Sequence, residues 1–341
     1  MTKNSSDSIE KTSWIFVLIF LLLSMNTTAF TAEILDGPEA QTELKTKVQT
    51  LLDQEKYDEL EKMANEFRTT KAQFVGGGWK LVCFYYTFIF SGTTDAQRYE
   101  SISKLEKWMA KYSHSLTARI ATAQAWQCFG WKARGAGWAN EVTEEGWKLL
   151  RERVEKAYKL VKEKPLAPLS DCPGRYHILL TIARLQGWNR EKYDALFQEA
   201  VSFEPGYHVY YMEKAWHVTP RWGGAKGEWQ EFAEEAVKLM PKSEGMGIYT
   251  RILRMLWGSN EFKDFSDPSV SWEKMKQGFL DMERGYPNSL YNLNYFCMFA
   301  CIAKDRETAR TLFKKIGNTP YAWVWKGRSN FEKWRKWAGV N

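Results

Sequence analysis

Four histidines, His114, His177, His208 and His217, are the first residues to weigh for acid–base or metal chemistry. None sits in H-E-x-x-H, the spacing that puts two metal ligands on one helix face, and no G-x-S-x-G sequence supplies a nucleophile elbow. Glu213 and His217 lie four apart on one helical face. That spacing can serve an acid–base or metal pair, but a surface or hydrogen-bonded polar pair on a helix is far more usual. Gly76-Gly77-Gly78-Trp79-Lys80 lacks the G-x-x-x-x-G-K-[ST] spacing of a phosphate loop and reads as a tight turn. The five cysteines, Cys83, Cys128, Cys172, Cys297 and Cys301, are an odd count and do not form a disulfide framework. Cys297 and Cys301 fall four apart on an apolar helical face, where helix geometry does not suit a bridge, so they read as buried thiols. No catalytic residue, metal ligand or cofactor site emerges.

Arg134 and Arg221 are better placed for a special role. Each lies in a glycine-punctuated break between helices beside a tryptophan, in Arg134-Gly135-Ala136-Gly137-Trp138 and Pro220-Arg221-Trp222-Gly223-Gly224. In a structural role each guanidinium ties loop carbonyls or a buried carboxylate, while the Trp plugs the groove between helices. In a binding role the loop edges a groove, and Arg221, with free amides near Gly227 at a helix start, holds an anionic group such as a peptide carboxylate. The candidate partner-binding residues are therefore Arg134, Trp138, Arg221, Trp222, Gly223 and Gly224.

The elements that must position these loops are helices. Tyr207, Tyr210, Tyr211, Lys214, Ala215 and Val218 recur at three- and four-residue steps, so a helix runs to about Val218. Thr219 precedes a proline, which disfavours helical geometry, and Pro220 has no amide to continue the ladder. A second helix starts near Lys226 or Gly227, with Glu228 and Glu231 in its first turn and Trp229, Phe232, Ala233, Ala236, Val237 and Met240 as its apolar stripe. The same plan repeats along the chain. Leu44 to Leu52 and Tyr57 to Phe67 mark a first helix pair. Trp79 to Phe90 reads as a nearly all-apolar helix. Asp95 is positioned to cap the next, and a further helix runs from Ser115 to about Ala133. Thr143 with Glu144 and Glu145 starts another.

Prolines then keep time. Pro173, Pro205, Pro241, Pro287 and Pro320 fall at steps of 32, 36, 46 and 33 residues. Tetratricopeptide repeats, two helices each, have a period of about 34 residues and often close on a proline. The longest step holds a polar, turn-rich insertion around Gly258 to Ser271. Phe331, Trp334 and Ala338 make a short basic, aromatic helix that caps the last repeat. The expected fold is all-α, a tetratricopeptide-like solenoid of antiparallel helix pairs in a right-handed superhelix. It divides as a leader over 1–32, one helical-repeat domain over 33–320 and a cap over 321–341.

The 341 residues are 44% hydrophobic, enough for a large core, and carry 17 Trp, 19 Phe and 16 Tyr. Such rings fill gaps between packed helices. Stacking on glycans needs exposed rings, and most of these fall at core-facing spacings. The formal charge of +7 is spread along the chain, which is not a nucleic-acid footprint. Lys3 and Lys11 precede the apolar run Trp14 to Leu23, and Thr27-Thr28-Ala29 offers small residues for cleavage. The dense apolar part falls short of the ~20 residues that span a bilayer. Weaker apolar residues continue to Phe30, so residues 14–30 are either cleaved as a signal or kept as an inner-membrane anchor. Both place the body in the periplasm or cell envelope.

Four ordered stretches resemble a bacterial family, the domain of unknown function numbered 4034. They are FVGGGWKLVCFYY (74–86), WKARGAGWANEVTEEGW (131–147), the run from Asn189 to Tyr211, and PRWGGAKGEWQEFAEEA (220–236). The resemblance spans about residues 45 to 317. It implies an all-helical, tetratricopeptide-like protein, often exported, and no established activity. The function expected is a non-enzymatic scaffold of the cell envelope whose concave face or loops grip a protein or peptide. The alternative is an enzyme, or a small-ligand or glycan-binding protein, with a site in the solenoid groove.

Overall fold

The computed structural model describes residues 36–340, apart from 91, 136, 138 and 164–170. The expected leader and Trp138 lie outside the described residues. The described residues form one compact unit. It is all-helical: sixteen α-helices and no strand among the described residues, with one isolated bridge between Gln73 and Trp79.

The helices pack in neighbouring pairs, as a helical-repeat solenoid requires. α1 (Gly37–Asp53) and α2 (Tyr57–Thr69) lead through the triple-glycine turn to α3 (Lys80–Tyr86). α4 (Asp95–Lys111), α5 (Leu116–Arg134) and α6 (Glu144–Val161) follow. Then come α7 (Pro173–Leu185), α8 (Arg190–Phe203), α9 (Val209–His217), α10 (Glu228–Leu239) and α11 (Gly247–Gly258). The array ends with α12 (Trp272–Gly285), α13 (Leu290–Ile302), α14 (Arg306–Ile316) and the short α15 (Ala322–Trp325) and α16 (Arg328–Trp337).

Local chemistry sets the ends. Pro173 sits in the first turn of α7, where its missing amide is no loss. Pro205, Pro241, Pro287 and Pro320 each follow a helix, closing α8, α10, α12 and α14. Thr143 caps α6 by accepting from the Gly146 amide at 3.0 Å. α4 differs from expectation. Thr94, not Asp95, is its cap, because Thr94 and Gln97 bond each other's amides reciprocally. Asp95 instead pairs with Lys132. The apolar run from Trp79 also departs from one helix. It tightens to a 3-10 turn over Thr87–Ile89 and ends at Phe90 in the left-handed region, φ 51°. The Thr87 hydroxyl bonds the Cys83 carbonyl at 3.3 Å at that point.

The apolar core runs in two clusters that share α7, one spreading toward α1 and the other toward α16. Phe331 of α16 packs on Phe313 and Trp325, which seats the basic C-terminal helix on the last pair. Phe262, within the 258–271 insertion, stacks on Trp229 with centroids 5.9 Å apart. That insertion is therefore anchored by a buried ring despite its polar composition.

The first and late helices meet. The Asp36 carboxylate, capping α1, accepts from the Gly37 amide at 2.7 Å, the Ser289 hydroxyl at 2.6 Å and the Tyr291 amide at 3.0 Å. The Tyr321 hydroxyl donates to the Asp36 carbonyl at 2.6 Å. Asn292 Nδ2 donates to the Gly76 carbonyl at 3.2 Å, and Trp79 Nε1 to the Gly206 carbonyl at 3.1 Å. The triple-glycine turn is thus a docking piece. A Cβ on Gly77 would lie 2.3 Å from the Tyr286 ring and 2.7 Å from Arg251 Nη2. These contacts border a half-open cavity walled by α3, α9, α11 and α13.

Candidate functional site

Arg134 ends α5, and Arg221 lies in the 3-10 turn Pro220–Trp222 between α9 and α10. The fold brings these distant loops together. Arg134, Arg221 and Trp222 line one pocket of about 310 Å³, whose other walls include Trp131, Trp147 and Trp216. The Arg134 guanidinium lies 4.8 Å from the Trp131 ring centre and 5.3 Å from that of Trp147. Its Nη1 donates to the Gly135 and Gly137 carbonyls at 3.0 and 2.7 Å. Arg221 lies over Trp216 at 5.9 Å, and its Nε is 3.6 Å from a Glu261 carboxylate oxygen. Trp222 meets Trp131 with centroids 5.9 Å apart. Burial, with Arg221 nearby, lowers the pKa of Arg134. Arg134, whose charge burial disfavours, therefore faces a ring-lined pocket beside Arg221, which is matched by Glu261.

The loop between α9 and α10 is held by its own backbone hydrogen bonds, and its glycines shape it rather than line the pocket. Gly224 donates to the Thr219 carbonyl at 3.0 Å, and Trp222 to the same carbonyl at 3.0 Å. Gly223 has φ 86° with open space around its missing Cβ. Gly224 is held by contact: a Cβ there would lie 2.0 Å from the Val218 carbonyl oxygen.

Trp131, Trp147 and Trp216 complete the pocket, although their helical spacing points to core packing. The signal available in sequence was their nearness to the two arginine breaks. Arg184 was not singled out either. Its guanidinium stacks on Trp222 at 4.5 Å, and its Nη2 donates to Glu213 at 3.1 Å.

Glu213 takes Arg184 and His177 as partners, not His217. His177 Nε2 lies 3.8 Å from its carboxylate. Burial works to raise the Glu213 pKa, but Arg184 and His177 outweigh it and hold the carboxyl at about 2. His217 instead stacks on Tyr193 with centroids 3.6 Å apart, and burial pushes its pKa down to about 4. Tyr86 lies beside His177, 5.7 Å between ring centres. Burial pushes the thiol of Cys128, which Gln124 and Gln127 contact, up to about 12. Neither Glu213 nor Cys128 titrates near neutrality, where a general acid or base is most effective. The five cysteines are free thiols, and among the described residues no cluster of His, Cys, Asp or Glu is arranged to hold a metal.

Residues 45–159 match the family described as Domain of unknown function (DUF4034). The chain resembles that family there. The matched stretch runs from α1 through most of α6 and holds the triple-glycine turn and Arg134. Arg221 and the stretches 189–211 and 220–236 lie beyond it. No curated protein and no solved structure matches the chain.

Proposed function

We propose that the chain is a non-enzymatic binding module of the bacterial cell envelope that grips the acidic end of a protein or peptide partner between Arg134 and Arg221. One observation carries this reading: two arginines from separate glycine-containing helix breaks converge on a single tryptophan-walled pocket. A carboxylate entering there pairs with Arg134 and shares Arg221 with Glu261, and flanking peptide side chains pack on the Trp rings. The bond from Arg134 to its own loop carbonyls is compatible with this, because it fixes the fork in place before a partner arrives. Export rests on Lys3, Lys11 and the apolar run from Trp14 to Leu23. Among the described residues no helix is long and apolar enough to cross a membrane.

The test is cross-linked affinity capture with the full chain in its source cells, comparing wild type with Arg221→Ala. The expected result is an envelope protein captured by wild type and lost from the folded variant. Its C-terminal peptide should bind the isolated protein, and the amidated peptide should not. Equal capture by both, or none by either when both are folded, overturns the reading and makes Arg221 structural.

A further inference from the structure

The half-open cavity walled by α3, α9, α11 and α13 has a volume of about 380 Å³, in the size class of small-molecule sites. Its walls are flat and aromatic, from Trp79, Tyr295 and Trp323, the last 61% exposed at the rim. Three polar groups border it. The first is Arg254 of α11, whose guanidinium is laid across the rings of Tyr291 and Tyr295 at 5.2 and 4.5 Å and donates from Nη1 to Asn292 at 3.3 Å. Among the described residues it makes no ion pair, and burial disfavours its charge. The second is His208, just before α9, which is 9% exposed and has no side-chain hydrogen-bond partner among the described residues. Burial, then Arg251 and Arg254, hold its pKa well below 6.5, so it is a neutral ring with one donor and one acceptor. The third is the Tyr86 hydroxyl, which also has no hydrogen-bond partner among the described residues.

The other charges at this wall are already engaged. Arg251 pairs with Glu244 at 2.7 Å, and Asp36 has the three donors described above. Arg251 Nη2 has no hydrogen-bond partner, but its charge is matched by Glu244, so among the described residues lining this cavity Arg254 is the cation without an ion pair.

A second cavity, of about 640 Å³, adjoins the first and shares Arg254, Tyr295 and Trp323 with it. It adds Lys263 and Lys326, neither of which forms an ion pair among the described residues, and none of its lining side chains is acidic. An approach lined by cations, leading to a single unpaired guanidinium between rings, favours an anion and draws it inward.

We infer that the two adjoining cavities form a binding site for a small planar carboxylic acid, its carboxylate on Arg254 and His208 and its flat body between Trp79, Tyr295 and Trp323. At the inner end Arg254 is the one cation without an ion pair, which matches a single negative charge, and Asp36 on the same wall disfavours a second; Lys263 and Lys326 lie farther out at the approach. A carboxylate accepts two parallel bonds from a guanidinium, which the Tyr291 and Tyr295 rings hold in a fixed plane. The site is separate from the pocket of Arg134 and Arg221 and stands or falls independently of it.

Titration of the full chain with 2-naphthoate, 2-naphthamide and 2-naphthyl phosphate, read by calorimetry and tryptophan fluorescence, tests this. Naphthoate is expected to bind at least about tenfold more tightly than the uncharged amide and more tightly than the phosphate. Arg254→Gln should lose about tenfold in naphthoate affinity with little change for the amide. The paired variant Lys263→Gln, Lys326→Gln lies at the approach and does not depend on buried packing. It should weaken naphthoate binding about threefold or more at low salt, and less at high salt. Equal binding of acid and amide, no binding of naphthoate at millimolar concentration, or insensitivity to the lysine pair overturns the inference. Preference for the phosphate overturns the carboxylate assignment.

Discussion

The Asp36 carboxylate accepts the Ser289 hydroxyl at 2.6 Å across 253 positions of sequence. This bond, with those to the Gly37 and Tyr291 amides, ties the cap of α1 to the start of α13. It closes the first helix onto α13 beside the half-open cavity walled by α3, α9, α11 and α13.

If that closure is held by Asp36, Asp36→Ala should cost about 2–3 kcal/mol, since hydrogen bonds to an ionised group are lost and buried donors are left unpaired. Ser289→Ala should cost less, because two donors still reach the carboxylate. Urea denaturation of both single variants and the double variant checks this. The two effects are expected to be clearly non-additive, as for groups in one network.

The loop between α9 and α10 gives a graded prediction. Gly224→Ala brings a Cβ to 2.0 Å from the Val218 carbonyl oxygen and should cost about 2 kcal/mol or more. Gly223→Ala meets no atom and bears only the φ of 86°, which costs about 1 kcal/mol. Melting temperatures should fall in that order, and the reverse order contradicts the loop geometry.

Stability should depend on pH through His217. Its folded pKa of about 4 is depressed from 6.5 by burial first, then by Arg190, Lys214 and Arg184, with Asp194 opposing. Between those values the unfolded chain holds a proton that the folded chain lacks. The contribution is therefore fully present above 6.5 and is lost as pH falls toward 4, by up to about 3 kcal/mol. His208 adds a loss of the same sign. Replacing His217 with Phe keeps the stack on Tyr193, so the slope of stability between pH 6.5 and 4 should flatten. Denaturant midpoints across that range measure it, and an unchanged slope contradicts the assignment.

Arg184 joins the two polar regions of the molecule. It bonds Glu213 and stacks on Trp222. Arg184→Met keeps much of the packing but leaves Glu213 with His177 as its remaining partner. The expected cost is about 3 kcal/mol, as for one partner removed from a buried pair. The Glu213 carboxyl should then titrate above about 2, which NMR titration detects.

The helix plan was legible because its signals are local. Pro220 and Thr219 announce the end of α9, Thr143 announces the start of α6, and the prolines mark the helix-pair rhythm. Asp95 misled as a cap because Thr94 beside it, paired with Gln97, makes the stronger arrangement. The apolar run from Trp79 hid a break, since apolar composition records burial and not the turn at Phe90. The closure at Asp36 and Ser289 was out of reach, because no local pattern links residues so far apart. Arg134 and Arg221 were legible one at a time, from glycines and a neighbouring Trp. Their convergence was not, and neither were the roles of Trp131, Trp147 and Trp216, whose spacing equally fits a core.

The most direct test of the binding role is retention of a mixed peptide library on the immobilised full chain. Peptides with free C-terminal carboxylates are compared with the same library amidated, for wild type, Arg134→Gln and Arg221→Gln. Selective retention of free-carboxylate peptides by wild type, reduced about tenfold in each folded variant, is the expected result. Equal retention of both libraries, or retention unchanged by either substitution, would contradict a carboxylate-gripping pocket between Arg134 and Arg221.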